Sequence, residues 1–483
     1  MSEIKDYKSK TLVNLIWKFM ERIGNQGVAF IVSIVLARLL SPEDYGLISL
    51  VTIFTSIFSV FVNGSLGTAL IQKKDADDLD FSTVFYSNVV LGLFFYLILF
   101  LTAPLISAFY NIAQLTSVVR ILGITLIISG FSGVQSAYVS KNLMFKKFFF
   151  STLGGTIMSA VVGIFMAHLG FGVWALVAQQ VSTSLFSAIV LWIIVKWRPK
   201  KMFSLNRWKK LFSFSWKLMI SHLINTVYND IRQLIIGKIY SASDLAYYNR
   251  GKSLPNMIVT NINTSIDSVL LPVMSDVQDQ RDKLKSMTRR AIKTSSYIMW
   301  PLMFGLMAIG ENFVHLILTD KWLPSLPYLY IFAFICGLMP IQTANLNVIN
   351  AMGRSDLYLK MEIIKKTIGI AIVLITMNIS VLAIALSSVL YTLIVSVINA
   401  FPNKKLINYS YFEQIRDILP SFLLALFMSV VVKFLPIGSL NLVLQLVIQI
   451  FVGAVVYIFG SIILKLESFT FLKNIMLKFL KRK

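Results

Sequence analysis

The sequence predicts an all-α membrane protein that crosses the bilayer about fourteen times. Of its 483 residues, 57% are hydrophobic and 14% are charged, and the mean hydropathy is +0.75. A chain of this composition cannot cover a water-soluble surface of ordinary polarity. Long apolar runs separated by short polar breaks fill the chain, and each run has the length that a helix needs to cross the hydrocarbon core.

Fourteen apolar runs are found, near residues 11–39, 46–72, 83–109, 116–139, 149–168, 172–195, 212–238, 253–275, 291–318, 325–350, 357–378, 380–400, 418–436 and 440–464. A basic segment separates the first six runs from the remaining eight. We therefore predict five parts: an N-terminal six-helix bundle at 1–195, a basic cytoplasmic linker at 196–211, a C-terminal six-helix bundle at 212–400, two additional transmembrane helices at 401–464, and a basic amphipathic tail at 465–483.

The two predicted bundles carry a weak repeat with an offset of 200 residues. With this offset, polar residues coincide in seven pairs: Arg22 with His222, Asn25 with Asn225, Gln26 with Thr226, Ser41 with Ser241, Asp44 with Asp244, Asn63 with Asn263, and Ser65 with Ser265. Internal repeats that face each other around a polar site are a common plan of secondary transporters. The repeat therefore favours a transport function.

The distribution of basic residues predicts the orientation in the membrane. Lysine and arginine concentrate around 141–147, 196–210, 281–290 and 404–405 and in the tail, whereas the intervening connections hold few. Because short cytoplasmic loops retain positive charge, both termini are predicted in the cytoplasm of a multi-pass protein of the inner or plasma membrane. The tail is predicted to be an interfacial helix attracted to anionic lipid, since one helical face holds Phe469, Leu472, Met476, Phe479 and Leu480.

Several chemistries are disfavoured by the sequence. The net charge of +23 does not indicate nucleic acid as a partner, because no long polar segment could display a basic surface. The chain has no Gly-x-x-x-x-Gly-Lys-Ser/Thr loop for ATP phosphates. Its three histidines lie far apart, and its one cysteine, Cys336, lies in an apolar run. We therefore predict no catalytic residue, no metal site and no cofactor.

Polar side chains inside the apolar runs are the best candidates for a binding site, since a charge at mid-membrane costs about 2.5–3.5 kcal/mol on insertion scales. Such residues follow helical spacing on the first run and lie near one face of the seventh run. They are predicted to form a basic central cavity that binds an anionic substrate. The predicted substrate-binding residues are Lys18, Arg22, Asn25, Lys217, His222, Asn225 and Arg232.

Three acidic residues are candidates for coupling transport to an ion: Glu21, Asp230 and Asp267. A purely structural interpretation stays open for part of both sets. Lys18 and Arg22 could extend to the cytoplasmic interface, and Asp230 could serve only to neutralise Arg232.

Short motifs along the chain resemble those of Wzx-type polysaccharide flippases. The segments that carry the resemblance are ARLLSPEDYG (37–46), GFGVWALV (170–177), LAYYNRG (245–251), LPVMS (271–275), ILTDKW (317–322) and AMGR (351–354). Each motif alone is weak, but their order and the fourteen-helix plan are more specific. The wider superfamily is the multidrug/oligosaccharidyl-lipid/polysaccharide exporters, and the likeness is to its branch for teichuronic and colanic acid export.

The resemblance implies an architecture like that of the multidrug and toxin extruders, with two six-helix bundles around a central cavity. It also implies an activity, the transfer by alternating access of a polyprenyl-diphosphate-linked oligosaccharide from the cytoplasmic to the outer leaflet. The implied partners are this substrate, membrane lipids, and a glycan polymerase and other polysaccharide-assembly proteins. Three alternatives remain open: a cation-coupled multidrug-type exporter, a membrane glycan polymerase or ligase, and a scaffold without transport activity.

Overall fold

The computed structural model describes the backbone of residues 2–63 and 65–480, and the side chains in these ranges except those of 2–16, 265, 267–269, 475, 476, 479 and 480. The described elements are all helices, as the sequence predicts. In chain order they are α1 Ser2–Leu39, α2 Pro42–Asn63, α3 Leu66–Gln72, α4 Asp78–Tyr110, α5 Leu115–Lys141, α6 Phe145–His168, α7 Val173–Ile194, α8 Leu205–Ile239, α9 Ala242–Ser275, α10 Arg281–Ile317, a 3-10 helix Asp320–Ser325, α11 Leu326–Ala351, α12 Ser355–Thr376, α13 Val381–Leu406, α14 Tyr411–Lys433, α15 Leu442–Ile463 and α16 Glu467–Leu480.

Fourteen of the sixteen described α-helices, all except α3 and α16, have at least 22 residues. Within the described ranges, eleven segments are long and apolar enough to cross a membrane, with α2 and α3 counted together. The other three long helices are α8, α9 and α12, which carry more charged residues in their apolar runs. The chain is therefore a multi-pass membrane protein. The three polar helices are where functional side chains are most expected.

The helix boundaries repeat the 200-residue offset seen in the sequence. Helix α1 ends at Leu39 and α8 at Ile239, while α2 begins at Pro42 and α9 at Ala242. The turns between them use the same hydrogen bonds. The Ser41 hydroxyl and backbone N–H donate to Asp44 at 2.7 and 3.0 Å. The equivalent pair, Ser241 and Asp244, has distances of 2.6 and 3.2 Å.

The chain divides into two compact units, Met1–Ala246 and Tyr247–Lys483. The first unit holds α1 to α8, and α8 packs in it against α2, α3 and α4. The boundaries of the predicted bundles, 1–195 and 212–400, follow the repeat rather than this division. These two bundles remain a prediction.

Helix α8 is packed at both ends and open along its middle. Near its start, Leu211 joins the apolar core under α3, and the Ser215 hydroxyl donates to the Ser65 carbonyl at 3.1 Å. Near its end, Gly237 lies against Leu50 so closely that a Cβ atom there would be 2.1 Å from the leucine Cδ2. No residue from 216 to 235 is buried. The ends fix the helix and leave its polar middle accessible.

The second unit is built around α10, α11 and α13 to α15. Its core contains a buried amide network in which Asn345 donates to Gln414 at 2.7 Å and accepts from Asn403 at 2.6 Å. These bonds tie α11, α13 and α14 together, which is the usual role of amides inside helical membrane proteins. The tail helix α16 packs on α10, with Phe469 and Leu472 against the core.

Candidate functional site

The polar residues of α1 face α6 within the first unit. The Thr152 hydroxyl donates to Glu21 Oε1 at 3.2 Å, and the Thr156 hydroxyl donates to Asn25 Oδ1. One turn earlier, the Lys18 ammonium lies 5.4 Å from the centre of the Phe145 ring. These three contacts fix the α1 side chains along one neighbouring helix. The sequence could not show that these polar residues of α1 contact α6, because apolar residues surround them on all sides of the helix.

The polar residues of α8 form the accessible part of the candidate site. Lys217, His222 and Asn225 are exposed, and Arg232 is half-buried near the end of the same stretch. An amphipathic face of this kind supplies cationic and hydrogen-bonding groups without any backbone distortion. The structure thus places these four predicted residues on one helix of the first unit, together with the half-buried Arg22 on α1.

Asp230 anchors α8 to α2. Its Oδ2 atom accepts from the Ser56 hydroxyl at 3.3 Å, and its Oδ1 atom accepts from the Gln233 amide at 2.9 Å. These two hydrogen bonds tie the carboxylate to α2 and to the following turn of α8. The third predicted coupling residue, Asp267, belongs to α9, and its side chain lies outside the described residues.

A buried ion pair on α12 was not singled out from the sequence. The buried residues of this helix are four apart, at Met361, Lys365, Gly369 and Val373, so Lys365 occupies the packed face. Its ammonium pairs with Glu362, one turn earlier on the same helix. The lysine side chain is only 7% exposed. The signal was present in the sequence as two opposite charges inside an apolar run.

An acidic cluster at the start of α4 was also missed. Asp77 caps the helix and accepts from the backbone N–H of Asp80 at 3.0 Å, and this hydrogen bond lowers the pKa of Asp77 below its usual value. Asp80 is fully buried and accepts from Lys73 and from Arg207 Nη1, the latter at 3.3 Å. The basic residues Lys73 and Arg207 therefore form ion pairs with this acidic cluster.

The basic linker is fixed to the same place. Lys200 pairs with Asp78 at 2.6 Å, and the Trp197 indole donates to the same carboxylate at 3.0 Å. The backbone N–H of Lys200 donates to the Ser82 hydroxyl at 3.0 Å. The segment that joins the two repeats is thus part of the first unit rather than a free tether.

The second unit contains an apolar groove of about 440 Å³ lined by residues of α10, α14 and α15, among them Pro301, Met428 and Gly453. Its lining is almost entirely hydrocarbon, so it can hold a lipid chain but not a sugar. In the part of the chain that the structure describes, no group of three or more His, Cys, Asp or Glu side chains could hold a metal ion.

Comparison with known proteins identifies the family and the fold. The family model described as "Polysaccharide biosynthesis protein" matches residues 35–327. The teichuronic acid biosynthesis protein TuaB of Bacillus subtilis (strain 168) is 25% identical over 426 residues, which cover 84% of this chain and 85% of that protein. The lipopolysaccharide biosynthesis protein WzxC of Escherichia coli (strain K12) is 23% identical, covering 86% of this chain and 82% of WzxC.

Two kinds of solved structure share the fold. The lipid II flippase MurJ in an inward closed conformation gives a TM-score of 0.74 at 16% identity, covering 94% of this chain and 98% of MurJ. An inward-facing transporter of the multidrug resistance MATE family, in the MOP superfamily, gives a TM-score of 0.62 at 13% identity, covering 82% of this chain and 98% of the transporter. At these identities the likeness to solved structures establishes the fold alone, and the matched family model identifies the family: this chain belongs to the polysaccharide biosynthesis protein family.

Proposed function

We propose that the protein is a flippase that moves a polyprenyl-diphosphate-linked oligosaccharide from the cytoplasmic to the outer leaflet for the assembly of a surface polysaccharide. The observation that carries the proposal is the match of residues 35–327 to polysaccharide biosynthesis proteins, in a chain whose described part contains eleven segments able to cross a membrane. TuaB and WzxC, which match most of the chain, are both named for polysaccharide biosynthesis.

The physical problem of this reaction suits the structure. A diphosphate and its sugars cannot enter hydrocarbon without losing their hydration, whereas the prenyl tail is at home there. The open, polar middle of α8 offers cations and amides that replace water around the headgroup. The prenyl tail can remain in the surrounding lipid while the headgroup lies against α8.

The accessible residues of α8 carry the headgroup in this proposal. Lys217 and Arg232 attract the phosphates or acidic sugars, and His222 and Asn225 bond sugar hydroxyls. On α1, Arg22 adds a further cation. Lys18 and Asn25, which contact α6, hold α1 in register and so present Arg22 at a constant position.

Ion coupling is assigned to the acidic side chains of the same helices. Asp230 connects α8 to α2, and Glu21 connects α1 to α6. Protonation of either carboxylate would weaken a bond between two helices, which is the kind of change that an alternating-access step requires. Asp267 on α9 stays a third candidate. An inside-negative potential would assist outward movement of the anionic headgroup by about 2.3 kcal/mol per charge per 100 mV.

The test is leaflet transfer in vesicles that contain the purified protein and a lipid-linked oligosaccharide. We expect the fraction of sugar open to a membrane-impermeant oxidant to rise faster with the protein than without it. The Lys217→Ala and Arg232→Ala variants should slow transfer about tenfold or more, because each removes a charge-assisted contact of about 1.5–3 kcal/mol. The matched control is Lys196→Ala, which removes an exposed linker cation. Equal rates in all four proteins would refute the assignment to α8.

One alternative has support from the fold, since a MATE transporter shares it with a TM-score of 0.62. Uptake of a small cationic dye into the same vesicles would favour this function. The basic character of α8 argues against it, because lysine and arginine repel cations. A polymerase or ligase would instead yield longer glycans in the vesicles, and chromatography of the recovered lipid-linked sugar detects that product.

A further inference from the structure

The first unit contains a cavity of about 700 Å³ that does not include the candidate site residues of α1 and α8 described above. It lies between α3 and the first turns of α8. Its lining contains three basic residues, Lys73, Arg207 and Lys210, called here the basic wall, and three apolar residues, Ala69, Leu211 and Phe214, called here the apolar wall, together with Gln72. A cavity lined by both cations and hydrocarbon matches a ligand that joins a phosphate to a lipid chain.

The basic wall is held in place from behind by carboxylates. The buried Asp80 accepts from Lys73 and from Arg207 Nη1, and Asp77 accepts from Arg207 Nη2 at 3.4 Å. A guanidinium has five N–H donors, and these contacts use only part of them. Lys210 is exposed, and no residue that the structure describes forms an ion pair with it. Arg207 is thus positioned in advance, while Lys210 is available to a ligand.

The charge around the cavity exceeds what the carboxylates neutralise. The Lys141 ammonium donates to the Leu70 carbonyl at 3.1 Å and to the Lys73 carbonyl, at the C-terminal end of α3, where a helix carries partial negative charge. Lys141 and the three bases of the wall stand against two carboxylates, Asp77 and Asp80, which leaves a net charge of +2. A diphosphate that links a prenyl chain to a sugar carries one ionised oxygen on each phosphorus.

We propose that this cavity is a capture site for the prenyl diphosphate of the lipid-linked substrate, used before the headgroup reaches α8. The phosphates lie against Lys210, Arg207 and Lys73, and the first prenyl units lie against Leu211 and Phe214. The inference rests on the proposed function and on the orientation predicted from the basic residues, which puts the start of α8 at the cytoplasmic side. Capture there raises the local concentration of substrate in the leaflet where it is made.

Farnesyl diphosphate is a suitable probe, titrated into the full-length protein in phosphatidylcholine nanodiscs and followed by calorimetry. We expect it to bind more tightly than inorganic diphosphate, because only the prenyl compound uses the apolar wall. Lys210→Glu should weaken binding about tenfold, and added salt should weaken it further. The matched control is Lys209→Glu, which makes the same charge change at an exposed neighbour that does not line the cavity. Thermal unfolding of both variants checks that they are folded.

Three outcomes would overturn the capture site. Lys210→Glu and Lys209→Glu could weaken binding equally, which would indicate that the probe is attracted by the positive charge of the surface in general and not by a specific site. Inorganic diphosphate could bind as tightly as the prenyl compound, which would indicate a site for free phosphate. Nanodiscs containing phosphatidylglycerol could abolish binding, which would assign the cavity to a phospholipid headgroup.

The leaflet-transfer assay separates this inference from the proposed function. If the wild-type protein transfers the oligosaccharide and Lys210→Glu transfers it at the same rate under limiting substrate, the capture site is wrong and the function stands. If the wild-type protein binds farnesyl diphosphate in a Lys210-dependent way but transfers nothing, the function is wrong and the binding site stands.

Discussion

Replacement of the buried Asp80 by asparagine tests the electrostatic arrangement at the start of α4. The carboxylate is 0% exposed and accepts from Lys73, from Arg207 and from the backbone N–H of Asp77 at 3.2 Å. Asparagine keeps the size and one acceptor oxygen but removes the charge. The substitution therefore isolates the charge-assisted part of the network from its packing.

The expected loss is about 2 kcal/mol. Hydrogen bonds to a charged group contribute about 1.5–3 kcal/mol each, and relief of the buried carboxylate's desolvation offsets part of the loss. The larger penalty of about 3–5 kcal/mol for a stranded buried charge does not apply, because Lys73 and Arg207 are 29% and 36% exposed and can turn to water. For a unit of this size, the melting temperature should fall by about 5 °C.

The assay combines thermal unfolding in detergent with amide hydrogen exchange, which locates the effect. Exchange should accelerate in α3 and in the first turns of α4, with little change in the second unit. The control is Asp75→Asn, an exposed carboxylate five residues earlier in the chain. The reasoning is refuted if the two variants have the same melting temperature. It is also refuted if Asp80→Asn lowers the melting temperature by the same amount in the wild-type background and in an Arg207→Gln background.

Three further predictions concern packing, a buried charge and the tail. Gly46→Ala should lower the melting temperature, because its Cβ would lie 1.9 Å from a carbonyl oxygen at the start of α9, whereas Gly154→Ala, with no atom within 4 Å, should not. Lys365→Met should destabilise the second unit in the same assay, and a second change, Glu362→Gln, should restore most of the loss. The ammonium of Lys293 on α10 lowers the pKa of Glu467 below 4.5. This ion pair therefore stabilises α16 fully above pH 4.5, and the stabilisation is lost as the pH falls through the lowered pKa. Hydrogen exchange of α16, corrected for intrinsic rate, should accelerate only in acid, and Glu467→Gln should remove that step.

The sequence predicts the fold well where local rules decide it. Ser41 and Asp44 form a helix-start signal that depends only on nearby backbone, and the same signal recurs at Ser241 and Asp244. The length and composition of the apolar runs likewise determine that helices form and roughly where they end. Both kinds of information survive in the sequence without any knowledge of tertiary contacts.

The partners of individual side chains were less predictable. When apolar residues surround a polar residue on a helix, the sequence does not show which neighbouring helix that residue contacts. Asn25 and Glu21 were predicted to line a cavity or to couple ions, and the structure bonds them to threonines of α6. The pairing of Lys365 with Glu362 was visible in the sequence but was not recognised. Asp80 could not be identified in advance, since its burial depends on α3 and α8 meeting over the start of α4.

The packing of α8 explains why so polar a helix is stable in a membrane protein. Full burial is confined to its two ends, at Leu211 and Ser215 and again at Ile236 and Gly237, and between them Asp230 adds a hydrogen bond to α2. The exposed Lys217 and His222 therefore cost little packing energy, and they can be replaced without unfolding the unit. It follows that substitutions at Lys217 and its polar neighbours on α8 should change transport more than stability, whereas Gly237→Ala should do the reverse, because its Cβ would collide with Leu50. A Lys217→Ala protein that unfolds as readily as Gly237→Ala would contradict this separation of anchoring and function.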